Sequence, residues 1–519
     1  MGKHFRKLVY IIIALGTIFI IATVSINYIV KNKIQTFIET RLPGNIVHSY
    51  ENITVQSFDG STILNNASVI LKNQEDSSKH TFINVEKLKI SDISYWDYLF
   101  NNEIHIDNIL LQNPTIAHYK DRMKPSADTL RNAVAKIYKP IIVDKLQIEN
   151  AKFVLYERSN DSIKLYTKGL SVEINNLKLD NRTVLRKIPF DYENYKANGD
   201  TIFVKVSPYE NLTVADFSIK NRNAVFNKLN LQTKYSKKEL SRIISRERDH
   251  YNLSLDSLSI DGIDLGFNEG IFFSKSKLVS LKNPSLEIYR DKLVPDDPKI
   301  KPLYSKMLRD LPIKLTVDSL KIADAKIKYE ERVKPENIGG SINFENLQAA
   351  ISNVGNTYKS PAKTVIKVKS HFMDKTPFSA NWSFDVQNTN DHFTFQAEVG
   401  TLVADKMNSF TEPNLKVRLE GQATKTYFTI DGNNDTSTTN LKINYSDFKV
   451  TILQKDGEKR NWLLSAITNI FISTDSEKKN EYYREGTADA TRNKTQSVFN
   501  FLWISVKNAL TKSLTGKNN

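Results

Sequence analysis

The stretch that decides the fold is Val143-Asp144-Lys145-Leu146-Gln147-Ile148-Glu149-Asn150, which returns at 317–324 as Val-Asp-Ser-Leu-Lys-Ile-Ala-Asp. Its pattern is an apolar residue, an acid, and a Leu/Ile pair two positions apart before a final Asp, Asn or Gly. Side chains two apart lie on one side of a strand, so each copy predicts a strand with one apolar face. The final residue predicts a turn, and the first apolar residue, having the opposite parity, predicts a bend near the acid. The copies begin at Val85, Ile106, Val143, Leu255 and Val317.

The second position of the pattern is acidic in every copy. Acids at equivalent positions of a repeat are typical of a structural pattern, so we interpret them as solvent-side or turn residues rather than as paired catalytic carboxylates. The acids are Glu86, Asp107, Asp144, Asp256 and Asp318.

A larger duplication carries these copies. Asn113-Pro114 with Tyr119 recurs as Asn283-Pro284 with Tyr289, roughly 170 residues further along. Each block continues into a segment with apolar residues at helical spacing, which predicts a short helix. The predicted helices carry Leu130, Val134, Ile137 and Tyr138 in one block and Leu303, Tyr304, Met307 and Leu308 in the other. Between the blocks, Ser236 and Glu239 fit a capping box and predict a third short helix.

Strands far outnumber helices, and an apolar sheet face has to be buried against something. The face can pack on a second sheet as a sandwich, or it can line a groove for an apolar ligand. The predicted fold is therefore mainly β: an elongated, internally duplicated antiparallel β-groove, or alternatively a β-sandwich, with a few short amphipathic helices. The candidate groove-lining residues are Leu88, Ile90, Leu146, Ile148, Leu258, Ile260, Leu320, Ile322, Phe384 and Phe395.

The C-terminal third begins with strict alternation. Residues 378–386 and 393–399 alternate apolar and polar side chains, and further strands are predicted at 415–419 and 441–453. Two helical stripes follow. The tail helix can cap the sheet, as amphipathic helices normally do, or lie in a membrane interface. The stripes are Trp462, Leu463, Ala466, Ile467 and Ile470, and Phe499, Leu502, Trp503, Val506 and Leu510.

The N-terminal segment 8–30 contains no charged residue. As a helix it would reach about 35 Å, enough for a hydrocarbon core of about 30 Å. Lys3, Arg6 and Lys7 precede it, which favours a cytoplasmic N-terminus. A cleaved secretory signal is the rival interpretation, but its apolar core would be shorter, about 7–15 residues, and Thr23-Val24-Ser25 is a poor cleavage site. We therefore expect an uncleaved anchor with the remaining chain in the periplasm.

Composition limits the other classes of function. The net charge of +15 is spread along the chain without a DNA-reading motif, so we expect no nucleic-acid partner. The positive charge can simply keep the protein soluble; if it has a binding partner and the chain lies outside the cytoplasm, we expect that partner to be lipid headgroups. The absence of cysteine excludes disulfides and thiolate chemistry.

The sequence contains no catalytic motif, so we expect that the protein is not an enzyme and that it binds neither a cofactor nor a metal. The P-loop, zinc-protease and serine-hydrolase patterns are missing. Asp431, Asn433 and Asp435 imitate the start of a calcium loop, but the glycine is absent and Lys442 stands in place of the final glutamate.

The anchor, the helical segment 33–42 and the repeated V-D-x-L-x-I-x-N units resemble the AsmA-like family, which includes TamB-like proteins. The ending at 441–450 and the terminal Phe-Leu-Trp helix are similar to AsmA-like proteins of Bacteroidota. The resemblance implies an inner-membrane protein that projects a repeating β-groove into the periplasm and moves lipids between envelope membranes.

The expected function is thus lipid binding or transfer along an apolar groove, with phospholipid as the first candidate ligand. The alternative is a tethered assembly or scaffold factor that acts on outer-membrane proteins through strand edges, with an envelope protein as partner. The predicted organisation is a cytoplasmic N-terminus (1–7), an anchor (8–30), a membrane-proximal segment (31–80), a first β repeat (81–235), a connecting helix (236–250), a second β repeat (251–355), C-terminal strands (356–455) and a helical tail (456–519).

Overall fold

The computed structural model describes residues 2–42, 44–56, 60–73, 75–94, 96–123, 139–157, 162–184, 186, 188–336, 339–453 and 483–515. The chain is mainly β, with 58% strand, 17% helix and one large sheet. The predicted fold class is confirmed at this level. Contacts divide the chain into a first unit (1–206 and 213–221) and a second unit (207–212 and 222–519).

The first unit opens with helix α1 (Gly2–Arg41), which contacts the second strand of the sheet. Half-buried residues at 3–4 spacing form one stripe along the helix, from Thr23 through Asn27, Val30 and Ile34 to Ile38. The strands that follow are β1 (Ile46–Ser49), β2 (Asn52–Gln56), β3 (Ser61–Lys72), β4 (Lys79–Ile93), β5 (Ile104–Gln112), β6 (Thr115–Tyr119), β7 (Ile141–Tyr156), β8 (Ile163–Leu179), β9 (Asn194–Gly199), β10 (Thr201–Lys205) and β12 (Asp216–Lys220). Strand β11 (Glu210–Val214) is divided between the two units, since residues 210–212 belong to the second.

None of the helices that the structure describes is long and apolar enough to cross a membrane.

The described residues of the second unit contain the remaining strands and four α-helices. The helices are α2 (Lys237–Ile243), α3 (Tyr304–Arg309), α4 (Asn408–Leu415) and α5 (Val498–Thr515). The strands are β13 (Asn223–Thr233), β14 (His250–Asp261), β15 (Asp264–Asn268), β16 (Ile271–Lys282), β17 (Ser285–Asp291), β18 (Lys314–Arg332), β19 (Gly340–Gly355), β20 (Thr364–Phe372), β21 (Thr376–Phe384), β22 (Phe393–Val399), β23 (Leu402–Val403), β24 (Val417–Gly432), β25 (Thr436–Ile452) and β26 (Arg484–Thr491).

All five copies of the repeated pattern form strands, and the two blocks share one topology. In the first block β5 and β6 both pair in parallel with β7. In the second block β16 and β17 pair in parallel with β18 in the same way. The expected antiparallel arrangement is wrong for these four pairings, although the flanking strands of both blocks do pair antiparallel. In the second block, residues 292–313 return the chain to the starting end before β18 begins, which is what parallel pairing requires.

The bend predicted near the acid lies in the neighbouring strand. Each acid of the pattern faces a residue with left-handed backbone across the ladder; Asn66, for example, lies opposite Glu86 with φ 50°. Asn and Asp tolerate this conformation better than other non-glycine residues, which explains their recurrence. The facing residues are Asn66, Asp92, Asn176, Lys228 and Asn353.

The last residue of each pattern also has positive φ, between 50° at Asn113 and 69° at Gly262. In β7 and β18 this residue, Asn150 or Asp324, lies inside a continuing strand. It bends the strand rather than reversing the chain, so the predicted turn is a bend at these positions.

The acids themselves are exposed, which confirms the solvent-side interpretation. Two of them accept equivalent hydrogen bonds from the left-handed asparagine 27 positions later: Asn113 Nδ2 donates to Glu86 at 2.6 Å, and Asn283 Nδ2 donates to Asp256 at 2.7 Å. A third, Asp318, accepts from the Tyr358 hydroxyl at 2.8 Å. These contacts hold the bends in place.

The short helices are largely as predicted. Ser236 and Glu239 form the capping box of α2, and α3 matches the second predicted helix. The predicted strand at 415–419 starts late, because α4 runs to Leu415 and β24 begins at Val417. The predicted helix at 130–138 and the stripe at 462–470 lie outside the described residues.

Helix α5 packs on the sheet, as the capping interpretation of the tail required. Its buried face contains Val498, Phe501, Leu502 and Ala509, in two clusters with residues of β21–β26. Two residues of the predicted stripe, Phe499 and Trp503, are exposed instead.

Candidate functional site

An apolar ladder crosses the sheet of the first unit. In its first row, Leu64 of β3 lies opposite Leu88, which lies opposite Leu111 of β5. The row continues to Ile148 of β7 and Val172 of β8. A second row, two residues away, contains Ile90, Ile109, Leu146 and Ile174.

The second unit repeats the arrangement on its own strands. Phe226 lies opposite Leu258, and Leu258 lies opposite Leu281 of β16. Leu281 is beside Ile322 of β18, which faces Ala349 of β19. The second row contains Ile260, Val279, Leu320 and Ile351.

The side chains of the apolar ladders are less buried than the first apolar residue of each pattern copy. The first apolar residue of every pattern copy is buried; Val143, for example, is 3% exposed. The Leu/Ile pairs are half-buried in both units. Side chains committed to a closed core are normally removed from solvent almost completely, so the ladder retains surface that an apolar ligand could cover.

Two of the ten candidate residues lie elsewhere. Phe384 is 4% exposed in the cluster that Phe501 and Leu502 of α5 close, and Phe395 packs against that cluster. The structure therefore brings eight candidates onto the half-buried ladders and places these two where α5 covers the sheet.

Several ladder residues were missed by the sequence interpretation. Ile109 and Leu111 belong to the copy that starts at Ile106, so the repeated pattern itself could have supplied them. Val279 and Leu281 of β16 carry no acid before them and follow only from strand pairing. Pairing partners in a sheet are not encoded locally, and no signal in the sequence pointed to them.

A depression of about 670 Å³ is present in the second unit, and its lining mixes polar residues such as Lys369, Asn381 and Thr487 with apolar residues such as Ala380, Phe428 and Leu441. Two charged residues of its lining, Lys442 and Glu485, form an ion pair at 2.6 Å.

His105 lies at one end of the first ladder between two carboxylates. Its Nδ1 is 3.1 Å from Asp97 and its Nε2 is 2.8 Å from Asp144. His105, Asp107 and Asp144 could place three ligand atoms within 4.8 Å of one another, but both ring nitrogens of His105 already have carboxylate partners. Hydrogen bonding to Asp144 raises the pKa of His105 above its ordinary value of 6.5, Asp97 adds to the rise, and partial burial opposes it. The two carboxylates therefore favour the protonated form of the imidazole, and we call His105, Asp97 and Asp144 the histidine–carboxylate cluster.

The histidine–carboxylate cluster should make both the stability of the fold and the pKa of His105 depend on Asp144. Because the folded state favours the protonated ring, its contribution to stability is present below pH 6.5 and is lost as pH rises through the raised pKa of His105. We expect Asp144→Asn to lower that pKa, as followed by NMR titration of the imidazole protons. Asp107→Asn is the matched control and should change the pKa much less. An equal change of the His105 pKa in both variants, or a pKa at or below 6.5 in the unmodified chain, would show that Asp144 does not stabilise the protonated ring.

Comparison of the sequence with protein-family models and with curated proteins finds no match. The function of the apolar ladders therefore has to be inferred from the side chains that form them.

Proposed function

We propose that the chain is an inner-membrane-anchored periplasmic protein that binds lipids, phospholipids first, on its apolar β faces and transfers them for envelope maintenance. Under this proposal it is a non-enzymatic member of the AsmA-like group of repeating β-groove proteins. The observation that carries the proposal is the half-buried double ladder in each unit.

The dimensions of the ladder suit an acyl chain. Its two rows are about 6.6 Å apart along each strand, and each further strand adds about 4.8 Å. A hydrocarbon chain laid across the strands would contact one Leu or Ile after another. Each methylene group removed from water contributes about 0.8 kcal/mol, so a long chain bound over several strands gains several kcal/mol.

The described part of α1 supports attachment to a membrane. One stripe of the helix is half-buried, yet large apolar side chains on its other sides are exposed, and Phe19, Ile21 and Tyr28 exceed half of their full exposure. Apolar surface of this extent is unfavourable in water and favourable in lipid. With the uncharged run 8–30, this favours anchoring by the N-terminal helix.

The test is lipid recovery from the purified full chain. After gentle extraction and gel filtration, mass spectrometry should find phospholipid bound at a fixed ratio to protein. A folded chain without lipid, with captured outer-membrane protein strands instead, would replace the proposal by the assembly-factor alternative.

A further inference from the structure

An exposed aromatic tip lies between β4 and β5 of the first unit. It consists of Trp96, Tyr98, Leu99 and Phe100, which sit on a single π-helical turn (Asp97–Asn101). Leu99 is 70% exposed and Phe100 65%, and the rings of Trp96 and Phe100 are 4.2 Å apart. Large apolar side chains grouped at one exposed point of a soluble surface indicate a binding role.

The base of the aromatic tip is polar and firmly held. Asp97 accepts a hydrogen bond from Asn101 Nδ2 at 2.6 Å and is 3.1 Å from His105. Lys139 Nζ donates to the backbone oxygen of Tyr98 at 2.5 Å and lies over the Tyr98 ring at 3.7 Å from its centroid. These contacts fix the turn with its apolar side chains directed away from the sheet.

The aromatic tip lies at the end of the first unit toward which α1 runs. Arg41 is joined to Ile46 by a short connection, so the C-terminal end of α1 lies near the start of β1. The helix contacts β2, which begins about 20 Å beyond the start of β1 along the same edge, so we infer that α1 extends from its C-terminal end toward β2.

Strand pairing places the aromatic tip at the same end. Gln56 pairs with Ser61, and the backbone N–H of Ile93 donates to Gly60 at 3.4 Å. The tip follows Ile93 directly. We infer that the part of α1 before Thr23 extends past the sheet at the end where the aromatic tip lies.

A second apolar group occupies this end. The connection after β8 exposes Ile188 and Tyr192, and β8 ends at Leu179, which pairs with Ile141 at the start of β7. Lys139, which holds the tip, immediately precedes that start.

We propose that the aromatic tip inserts into the interface of the membrane that holds α1, and that it orients this end of the apolar ladder toward the lipid headgroups. Trp and Tyr favour the membrane–water interface because one part of each ring system is apolar and the other can remain hydrated. Leu99 and Phe100 supply the apolar part. The inference rests on the proposed membrane attachment.

The test uses the absence of cysteine in the chain. Leu99→Cys is labelled with an environment-sensitive nitrobenzoxadiazole dye, and the full chain is reconstituted into phosphatidylglycerol–phosphatidylcholine vesicles that contain spin-labelled lipid. Met123→Cys is the matched control, because Met123 is exposed in the same unit beyond β6, whose partner on β4 is the opposite strand end. We expect most of the fluorescence at position 99 to be lost to lipid quenching and that at position 123 to persist.

Vesicle flotation separates the inference from the proposed function. If the chain floats with the vesicles but the label at position 99 is not quenched, the insertion of the aromatic tip is refuted and the membrane attachment stands. A blue-shifted but unquenched label at position 99 shows a protein contact and also refutes lipid insertion. A folded chain that does not float refutes the membrane attachment on which both proposals depend.

Discussion

Replacing Ile148 with Asp is expected to strip bound lipid from the full chain and leave the protein folded. Ile148 is half-buried in the first ladder, between Leu111 and Val172. A carboxylate in contact with an acyl chain loses hydration without gaining a partner, while in the lipid-free chain it can remain hydrated. A penalty of about 3 kcal/mol corresponds to a loss of roughly a hundredfold in lipid affinity, which should lower the amount of lipid recovered with the protein. Lipid-to-protein ratio by mass spectrometry and resistance to limited proteolysis are measured on the same sample.

Gln147→Asp is the matched control, since it adds the same charge at the adjacent position of β7, where the side chain alternates to the other face. It should retain lipid. If Ile148→Asp unfolds the chain, the ladder is the core of a sandwich; if it stays folded with unchanged lipid, lipid binds on a different surface. Ile322 occupies the equivalent position in the second unit, but it packs against the buried residues Ala325, Leu347 and Ala349, so Ile148 is the site of the decisive test.

Phe501→Ala is expected to lower the free energy of unfolding of the second unit by about 3–5 kcal/mol. Phe501 is 1% exposed at the centre of the cluster beneath α5, where its ring lies 6.2 Å from that of Phe393. Truncation would leave a cavity between α5 and the sheet. Urea unfolding followed by circular dichroism measures the effect.

Phe499→Ala is the control on the same helix. Phe499 is 63% exposed, so its truncation should change the free energy of unfolding by no more than about 0.5 kcal/mol. Equal effects of the two substitutions would show that α5 does not close the core in the way described above.

The repeated pattern predicted the strands and the duplication because both depend on local order in the sequence. Alternation at two-residue spacing placed Leu146 and Ile148 on one face, and the Asn-Pro landmarks 113–114 and 283–284 located the equivalent strand bends. The interpretation of the acids as structural followed from their recurrence, and Glu86 and Asp256 indeed make equivalent contacts.

Features that depend on distant parts of the chain could not be predicted. Nothing near β5 or β16 indicates that the next long strand will pair in parallel, because a separate connection determines its direction. Alternation likewise assigned Phe384 to the same apolar face as the ladders without showing that α5, more than a hundred residues later, covers that part. The aromatic tip was missed because a single turn of five residues has no periodicity to detect.

Because the apolar face is built strand by strand, its length and the identity of its side chains can change independently in evolution. The strands of each unit pair side by side in the sheet, so each added strand widens the apolar face by about 4.8 Å. Copying a block lengthens the face while the position of the left-handed bends keeps its cross-section constant. Selection could thus alter how much ligand a descendant of this chain accommodates through gene duplication, and alter which ligand it accommodates through point substitutions, with neither change disturbing the other.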